Sequence, residues 1–109
     1  MNTVHTQALD DWNTHPLTYQ MANIGAEVGR SIKWKTKSKS ELMWGALVRA
    51  LELLDATIVD PENTSCRGEL LRVREAVCDF IVGDNEYSST AESWDRYFYH
   101  FTVAVRKAA

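Results

Sequence analysis

The sequence predicts an all-α protein, an up-down-up-down four-helix bundle preceded by a short N-terminal arm. Apolar side chains recur at steps of three and four residues in four separate segments, which is the spacing of one helix face. No stretch alternates apolar and polar residues as a half-buried strand would. The segments are joined by short connections, and short connections in helical proteins join antiparallel neighbours. At 109 residues the chain is long enough for one domain with its own core. An α-solenoid fragment is the structural alternative.

The longest apolar-periodic run spans Glu41 to Val59, and we expect the other helices to pack against it. Its apolar stripe is Met43, Leu47, Ala50, Leu54 and Ile58. Ser38 and Glu41, three residues apart, match a capping box, in which each side chain satisfies a backbone N–H at the helix start. The Asp60-Pro61 pair ends the run, because the residue before proline is driven out of helical conformation.

A first helix is predicted to open at His15-Pro16, since proline is well tolerated in the first turn of a helix. Its apolar stripe is Leu17, Met21, Ile24, Val28 and Ile32. Gly25 and Gly29 lie beside this stripe, and each costs about 1 kcal/mol relative to alanine inside a helix. We expect the close approach of another helix to offset that cost. Residues 1–14 are predicted to form the arm, with Trp12 as its anchor, and residues 15–109 the bundle domain.

The third and fourth helices are predicted at about 66–82 and 91–107. The third carries the stripe Leu70, Val73, Val77 and Phe80, and the fourth carries Trp94, Phe98, Phe101 and Val105. Gly83 is expected to end the third helix. The stretch Ser89–Glu92 is a second capping-box pattern, which indicates that the fourth helix starts within it.

Composition limits the classes of function. The net charge of −3 gives no general attraction to nucleic acid or to a membrane surface, and no apolar run reaches the roughly 18 residues needed to span a bilayer. Cys66 and Cys78 would lie about 18 Å apart along one helix, too far for a disulfide. No His-x-x-x-His or Cys-x-x-Cys spacing occurs, so we expect neither a metal nor a cofactor. We expect a reduced, cytoplasmic protein.

A polar-aromatic groove is the leading candidate for a binding site. A second stripe on the first helix recurs at steps of four, three and four residues, and a polar loop follows the third helix. These candidate binding residues are Asn23, Glu27, Arg30 and Trp34 on the helix, and Asp84, Asn85, Glu86 and Tyr87 in the loop. In a simple bundle Trp34 and the loop lie at the same end. The alternative interpretation is a solvated helix flank with a Glu27–Arg30 ion pair, and a loop that only connects two helices.

Residues 30–39 carry five basic side chains and no acidic one, against seven basic and fifteen acidic side chains in the rest of the chain. Lys33, Lys35 and Lys37 flank Trp34, so this segment could contact a phosphate backbone while the indole stacks on a base. The alternative is a solvated helix end, where cations suit the helix dipole.

Four segments together resemble a family of small all-α bacterial proteins for which no activity is established. They are NIGAEVGRSIKW, ALELLDATI, LLRVREAVCDFIVGDNEYSST and RYFYHF, and the resemblance covers about residues 17–107. More distantly, the architecture is similar to the HEPN superfamily of four-helix proteins, which often accompany nucleotidyltransferases or act as RNases. RNase members carry an Arg, a polar residue and, after four to six intervening positions, a His. Here three residues separate Arg96 from His100, and Tyr97 follows the Arg.

Two hypotheses about function follow. The first is a binding or interaction module that forms a homodimer, contacts a partner protein through the groove and performs no catalysis. The second, which rests on the HEPN resemblance, is a nucleotide- or RNA-directed protein with Arg96 and His100 as its candidate catalytic residues.

Overall fold

The computed structural model of the protein describes residues 11–108, and these residues form four long α-helices. The helices are α1 (Leu17–Thr36), α2 (Ser40–Val59), α3 (Arg67–Ile81) and α4 (Ala91–Ala108), with a 3₁₀ helix (Pro61–Cys66) between α2 and α3. No strand occurs within residues 11–108. The all-α class and the four helices are therefore confirmed. Of the predicted arm, residues 1–10 lie outside the described residues.

One hydrophobic core lies between the helices, as the apolar stripes predicted. Leu47 of α2 is 1% exposed and Phe98 of α4 is 6% exposed. The other stripe positions are buried in the same cluster or pack against it, with the exception of Val105, which is half-buried outside it. The helix-packing contacts are compatible with a bundle.

The helix that organises the fold is α1 rather than α2. We expected the others to pack against α2, but α1 contacts all three other helices, and its closest packing is with α2 and α4. Gly25 explains the close approach of α4. A Cβ atom at position 25 would lie 2.5 Å from Cγ of Phe98, well inside van der Waals contact. The aromatic ring therefore occupies the space that a side chain at position 25 would need.

The second glycine of α1 serves a different purpose from the one predicted. A Cβ atom at Gly29 would meet no heavy atom within 4 Å. Gly29 instead borders a cavity of about 260 Å³ between α1 and α4, whose apolar walls include Val28, Ile32 and Trp94. The prediction of close helix packing is thus confirmed for Gly25 and wrong for Gly29.

The turn between α1 and α2 corrects the first capping-box prediction. Ser38 has a φ of 59°, which places it in the left-handed region. The N–H of Ser38 donates to the carbonyl of Lys35 at 3.0 Å, and the N–H of Lys39 donates to the carbonyl of Trp34 at 2.9 Å. These two bonds form a Schellman motif, so Ser38 ends α1 instead of capping α2. The N-cap of α2 is Lys39, which makes no side-chain capping bond.

The start of α4 carries a capping box one residue later than predicted. The N–H of Ser93 donates to Oγ1 of Thr90 at 3.0 Å, and the N–H of Thr90 donates to Oγ of Ser93 at 2.9 Å. Thr90 is therefore the N-cap, and a serine takes the reciprocal role usually filled by Glu or Gln.

Cys66 and Cys78 are both free thiols. No helix within residues 11–108 is long and apolar enough to cross a bilayer.

The contrast between the two glycines gives a matched pair of substitutions. Gly25→Ala should lower the free energy of unfolding by about 1–3 kcal/mol, because the new methyl group collides with the Phe98 ring. Gly29→Ala should raise it by up to about 1 kcal/mol, because alanine is the better helix former and its methyl group meets open space. Urea denaturation of both variants measures this. Equal effects of the two substitutions would contradict the packing described for α1 and α4.

Candidate functional site

A polar groove of about 410 Å³ opens between residues 11–15, α1 and α2. We call it the arginine groove. The lining residues that carry its chemistry are His15, Tyr19, Asn23, Glu27, Arg30 and Arg49, and Asp11 borders it as well. Three of the residues predicted as a binding stripe, Asn23, Glu27 and Arg30, therefore lie together on one wall.

The carboxylate of Glu27 holds two guanidinium groups at the centre of the arginine groove. Arg30 donates to Oε1 of Glu27 from the next turn of α1, which confirms the predicted ion pair. Arg49 of α2 donates through Nε to Oε2 of Glu27 at 2.8 Å. The side chain of Glu27 is 16% exposed, whereas those of Arg30 and Arg49 are 56% and 53% exposed. One largely buried carboxylate thus fixes two accessible cations from different helices.

The aromatic wall of the groove is anchored to the core through Trp12. The indole Nε1 of Trp12 donates to Oγ1 of Thr57 at 2.8 Å, and Nε2 of Gln20 donates to the Trp12 carbonyl at 2.9 Å. Trp12 is 6% exposed, so residues 11–14 are anchored to the core through it, whereas the rest of the predicted arm lies outside the described residues. The His15 ring stacks on Tyr19 with a centroid distance of 4.0 Å and an interplanar angle of 22°. These contacts give the groove a flat aromatic surface on a fixed segment.

Asn23 adds an amide to the same wall. Its Nδ2 donates to the backbone carbonyl of Tyr19 at 2.9 Å. That bond fixes the orientation of the side chain and leaves Oδ1 as a hydrogen-bond acceptor. The groove thus combines two sets of directed donors, from Arg30 and Arg49, with one acceptor.

Sequence reasoning missed Arg49, although a signal for it exists. Ser31 donates to the Met43 carbonyl, and Glu27 pairs with Arg49. Residues of α1 that lie farther before Ser38 therefore meet residues of α2 that lie farther after it. Glu27 and Arg49 are each eleven residues from Ser38, since 38 − 27 and 49 − 38 are both 11. Two helices folded back at residue 38 would bring these positions together. That inference requires the turn to be located first, and the capping-box pattern puts Ser38 at the start of α2 instead of at the turn.

The loop after α3 is held by Asp79, which sequence reasoning did not single out. The N–H of Glu86 donates to Oδ1 of Asp79 at 2.8 Å, and that of Tyr87 donates to Oδ2 at 3.1 Å. Asn85 has a φ of 53°, and its amide group exchanges two hydrogen bonds with the backbone of Ser89. Asparagine tolerates this left-handed conformation better than most residues. A hydrogen bond to the Glu75 carboxylate raises the pKa of Tyr87.

The structure brings only part of the predicted site together. Nζ of Lys35 donates to the Phe80 carbonyl at 2.9 Å, which places the end of α1 beside the end of α3, as expected. The arginine groove, however, is lined neither by Trp34 nor by any of residues 84–87. Trp34 lies just over one turn beyond Arg30 at the other end of the stripe, since one turn takes 3.6 residues.

The basic segment is partly engaged in contacts of its own. Lys35 bonds the Phe80 carbonyl at the end of α3 and lies 5.5 Å from the Phe80 ring centroid. Nζ of Lys37 lies 5.6 Å from the centroid of the Trp34 ring. Lys33 borders the cavity between α1 and α4. These contacts favour the interpretation in which the segment completes two helix ends.

The candidate catalytic pair of the HEPN resemblance lies on the outer surface of α4. Arg96 and His100 are both exposed. Arg96 borders a shallow surface pocket with Ala91, Glu92 and Asp95, and His100 does not contribute to its lining.

Comparison of the chain with protein-family models, with curated proteins and with solved structures returned no match. The resemblance to the small bacterial family and to the HEPN superfamily therefore stays a prediction.

The role of Asp79 can be tested with a conservative substitution. Asp79→Asn should speed hydrogen exchange of the Glu86 and Tyr87 amides roughly tenfold, because one of two charged acceptors becomes a donor. Asp84→Asn is the control, since Asp84 is exposed in the same loop. Native-state exchange followed by NMR reads both variants. Unchanged protection in Asp79→Asn would contradict the hydrogen bonds described.

Proposed function

We propose that the protein is a helical binding module whose arginine groove holds a carboxylate-bearing peptide segment of a partner protein. The observation that carries this proposal is the pair of guanidinium groups fixed by Glu27. Each is more than half exposed although its position is set by a largely buried carboxylate. Guanidinium groups recognise carboxylates through paired, parallel hydrogen bonds, and a fixed pair needs little ordering when a ligand binds.

Directed donors, rather than net charge, support the selectivity for a carboxylate. Asp11 and Glu27 formally balance Arg30 and Arg49 within the groove. Arg30 reaches Glu27 through Nη1 and Arg49 through Nε, and an arginine carries five N–H donors. Within residues 11–108 the remaining donors of both side chains make no further hydrogen bond that would keep them from a ligand.

A peptide fits the other groups of the groove. Oδ1 of Asn23 can accept a backbone N–H, and the stacked rings of His15 and Tyr19 give an apolar side chain a flat surface. Aromatic surfaces beside a few directed polar groups are typical of ligand sites. The groove volume of about 410 Å³ suits a few residues of an extended chain and not a folded domain.

Arg49→Gln should weaken binding of an acidic peptide about tenfold or more, because hydrogen bonds to charged groups contribute roughly 1.5–3 kcal/mol. The probe is a fluorescently labelled peptide of alternating Glu and Leu, with the Gln–Leu peptide for comparison, and anisotropy is the measurement. Arg96→Gln is the matched control, since it removes an exposed arginine from α4.

Two results would contradict this function. One is equal affinity for the acidic and the neutral peptide, and the other is an equal effect of Arg49→Gln and Arg96→Gln. The same preparation should be incubated with labelled single-stranded RNA. Cleavage that disappears in His100→Ala would support the RNA-directed hypothesis instead.

We infer that the helices follow the up-down-up-down order. Glu27–Arg49 and Ser31–Met43 pair α1 with α2 in opposite directions, and Arg67–Ile58 and Arg74–Asp55 do the same for α3 and α2. Phe98 of α4 meets Gly25, whereas Ala91 borders the same cavity as Ile32 and Lys33. These contacts support an α4 that runs against α1.

The homodimer is a further part of the proposal, and the outer face of α2 and α3 supports it. Four large apolar side chains on this face are exposed by 43–50%: Trp44, Val48, Leu71 and Val82. Asp55 of α2 and Arg74 of α3 join the two helices across the face, with Nε of Arg74 2.7 Å from Oδ1 of Asp55. Clustered exposed apolar side chains mark interaction sites. A face that carries one acid and one base beside apolar side chains can complement a second copy of itself across a two-fold axis.

Trp44→Glu combined with Leu71→Glu should convert the dimer to a monomer and leave the helical circular dichroism spectrum unchanged, because both side chains are half-exposed in the single chain. Light scattering coupled to size exclusion measures the mass. Tyr99→Glu, at an exposed aromatic residue on α4, is the control. A monomer mass for the unaltered protein at high concentration would exclude the dimer.

A further inference from the structure

A second cavity lies between α3 and α4, away from the arginine groove. It is a depression of about 280 Å³ that opens widely to the surface, and α3 and α4 are not closely packed against each other. Val73 and Ala76 of α3 form an apolar wall, and Trp94 and Tyr97 of α4 face them across the cavity. We call this space the α3–α4 cavity.

Two polar atoms of its lining residues have no hydrogen-bond partner within the described chain. They are Nε1 of Trp94 and the hydroxyl oxygen of Tyr97, and both atoms are buried. Trp94 is 8% exposed. The great majority of buried polar groups in proteins are paired, because an unpaired one loses its hydration without compensation. Two orphaned donors on residues that line this cavity therefore point to an acceptor that the described chain does not supply.

The tyrosine hydroxyl is a donor under all ordinary conditions. Burial, followed by the proximity of Glu69 and Cys66, raises the pKa of Tyr97 to about 12. The phenol consequently stays protonated at neutral pH, and it presents its proton to an acceptor.

Charge at the cavity favours an uncharged ligand. Glu69 and Arg72 both border the cavity from α3 and are both exposed, so one acid and one base cancel formally. A charged ligand would gain from one of them and be repelled by the other. An uncharged carbonyl group accepts two hydrogen bonds through one oxygen and carries no such penalty.

We propose that the α3–α4 cavity binds a small, uncharged, largely apolar molecule through a carbonyl group that accepts hydrogen bonds from Trp94 and Tyr97. The body of the molecule lies against Val73 and Ala76. The volume falls just below the range of about 300–1,000 Å³ usual for small-molecule sites, so the ligand is a single-ring compound or one of similar size. Both donor atoms are buried, so binding requires a small outward movement of α3, which its loose packing against α4 favours.

Acetophenone is the probe, since it carries one carbonyl group on one apolar ring. Ethylbenzene lacks the acceptor and phenylacetate adds a charge, and both serve as comparisons. The indole N–H resonances of the four tryptophans are followed by NMR, and Trp94→Phe identifies the resonance of Trp94. Acetophenone should move that resonance downfield in a saturable way, and it should bind more tightly than either comparison compound.

Tyr97→Phe tests the hydroxyl, and Tyr99→Phe, two residues away on the exposed side of α4, is the matched control. Tyr97→Phe should weaken acetophenone binding about tenfold while leaving the melting temperature unchanged or higher, because it removes an unpaired buried hydroxyl. Tyr99→Phe should change neither. Ala76→Leu, which fills the cavity, should abolish binding and retain the helical circular dichroism spectrum.

Four results would overturn the proposal. The first is the lack of a saturable shift of the Trp94 resonance at acetophenone concentrations up to about 10 mM, a range that includes very weak binding. The second is ethylbenzene or phenylacetate binding as tightly as acetophenone. The third is unchanged affinity in Tyr97→Phe, and the fourth is a lower melting temperature for Tyr97→Phe than for Tyr99→Phe, since that would show the hydroxyl to be satisfied within the folded protein.

Discussion

The close approach of α4 to α1 at Gly25 is the constraint on which the rest of the structure depends. The Phe98 ring occupies the space where a side chain at position 25 would stand. This contact fixes α4 on one side of α1, while α2 packs on another side. Both cavities beside α4 follow from that placement. One opens one turn along α1 at Gly29, where no ring fills the corresponding space, and the other opens between α4 and the loosely packed α3.

The sequence predicts the helices and their buried faces well, because both depend on local periodicity. α2 begins within one residue of its predicted start and ends at the predicted Val59. Helix ends depend on backbone geometry that several residues share, and there the local signals conflict. Ser38 matches an N-cap by residue type, yet the chain uses it as the left-handed residue of a Schellman motif. One hydroxyl at a turn suits either role, and the backbone path decides between them.

The candidate site was predictable only along single helices. Asn23, Glu27 and Arg30 share a flank of α1, so their common location follows from helix geometry. The contribution of Arg49 follows from how α1 and α2 meet, and it changes the chemistry. With Arg30 alone, Glu27 forms a surface pair worth a few tenths of a kcal/mol. With Arg49 added, the same carboxylate determines the position of two guanidinium groups from two helices. Whether the α1 stripe and residues 84–87 form one site depends on helix packing, which a single sequence does not contain.

The two most buried tryptophans of the described chain differ in how their indole N–H groups are paired. Trp12 and Trp94 are almost equally buried, at 6% and 8% exposure. The indole N–H of Trp12 meets the hydroxyl of Thr57, which itself donates to the Leu53 carbonyl, so this indole N–H is paired within the chain. That of Trp94 meets no acceptor within the described chain, and neither does the neighbouring Tyr97 hydroxyl. The same residue type therefore closes the fold at one position and leaves a hydrogen bond to be made at the other. Because unpaired burial costs stability, the second arrangement is expected where an external group completes it.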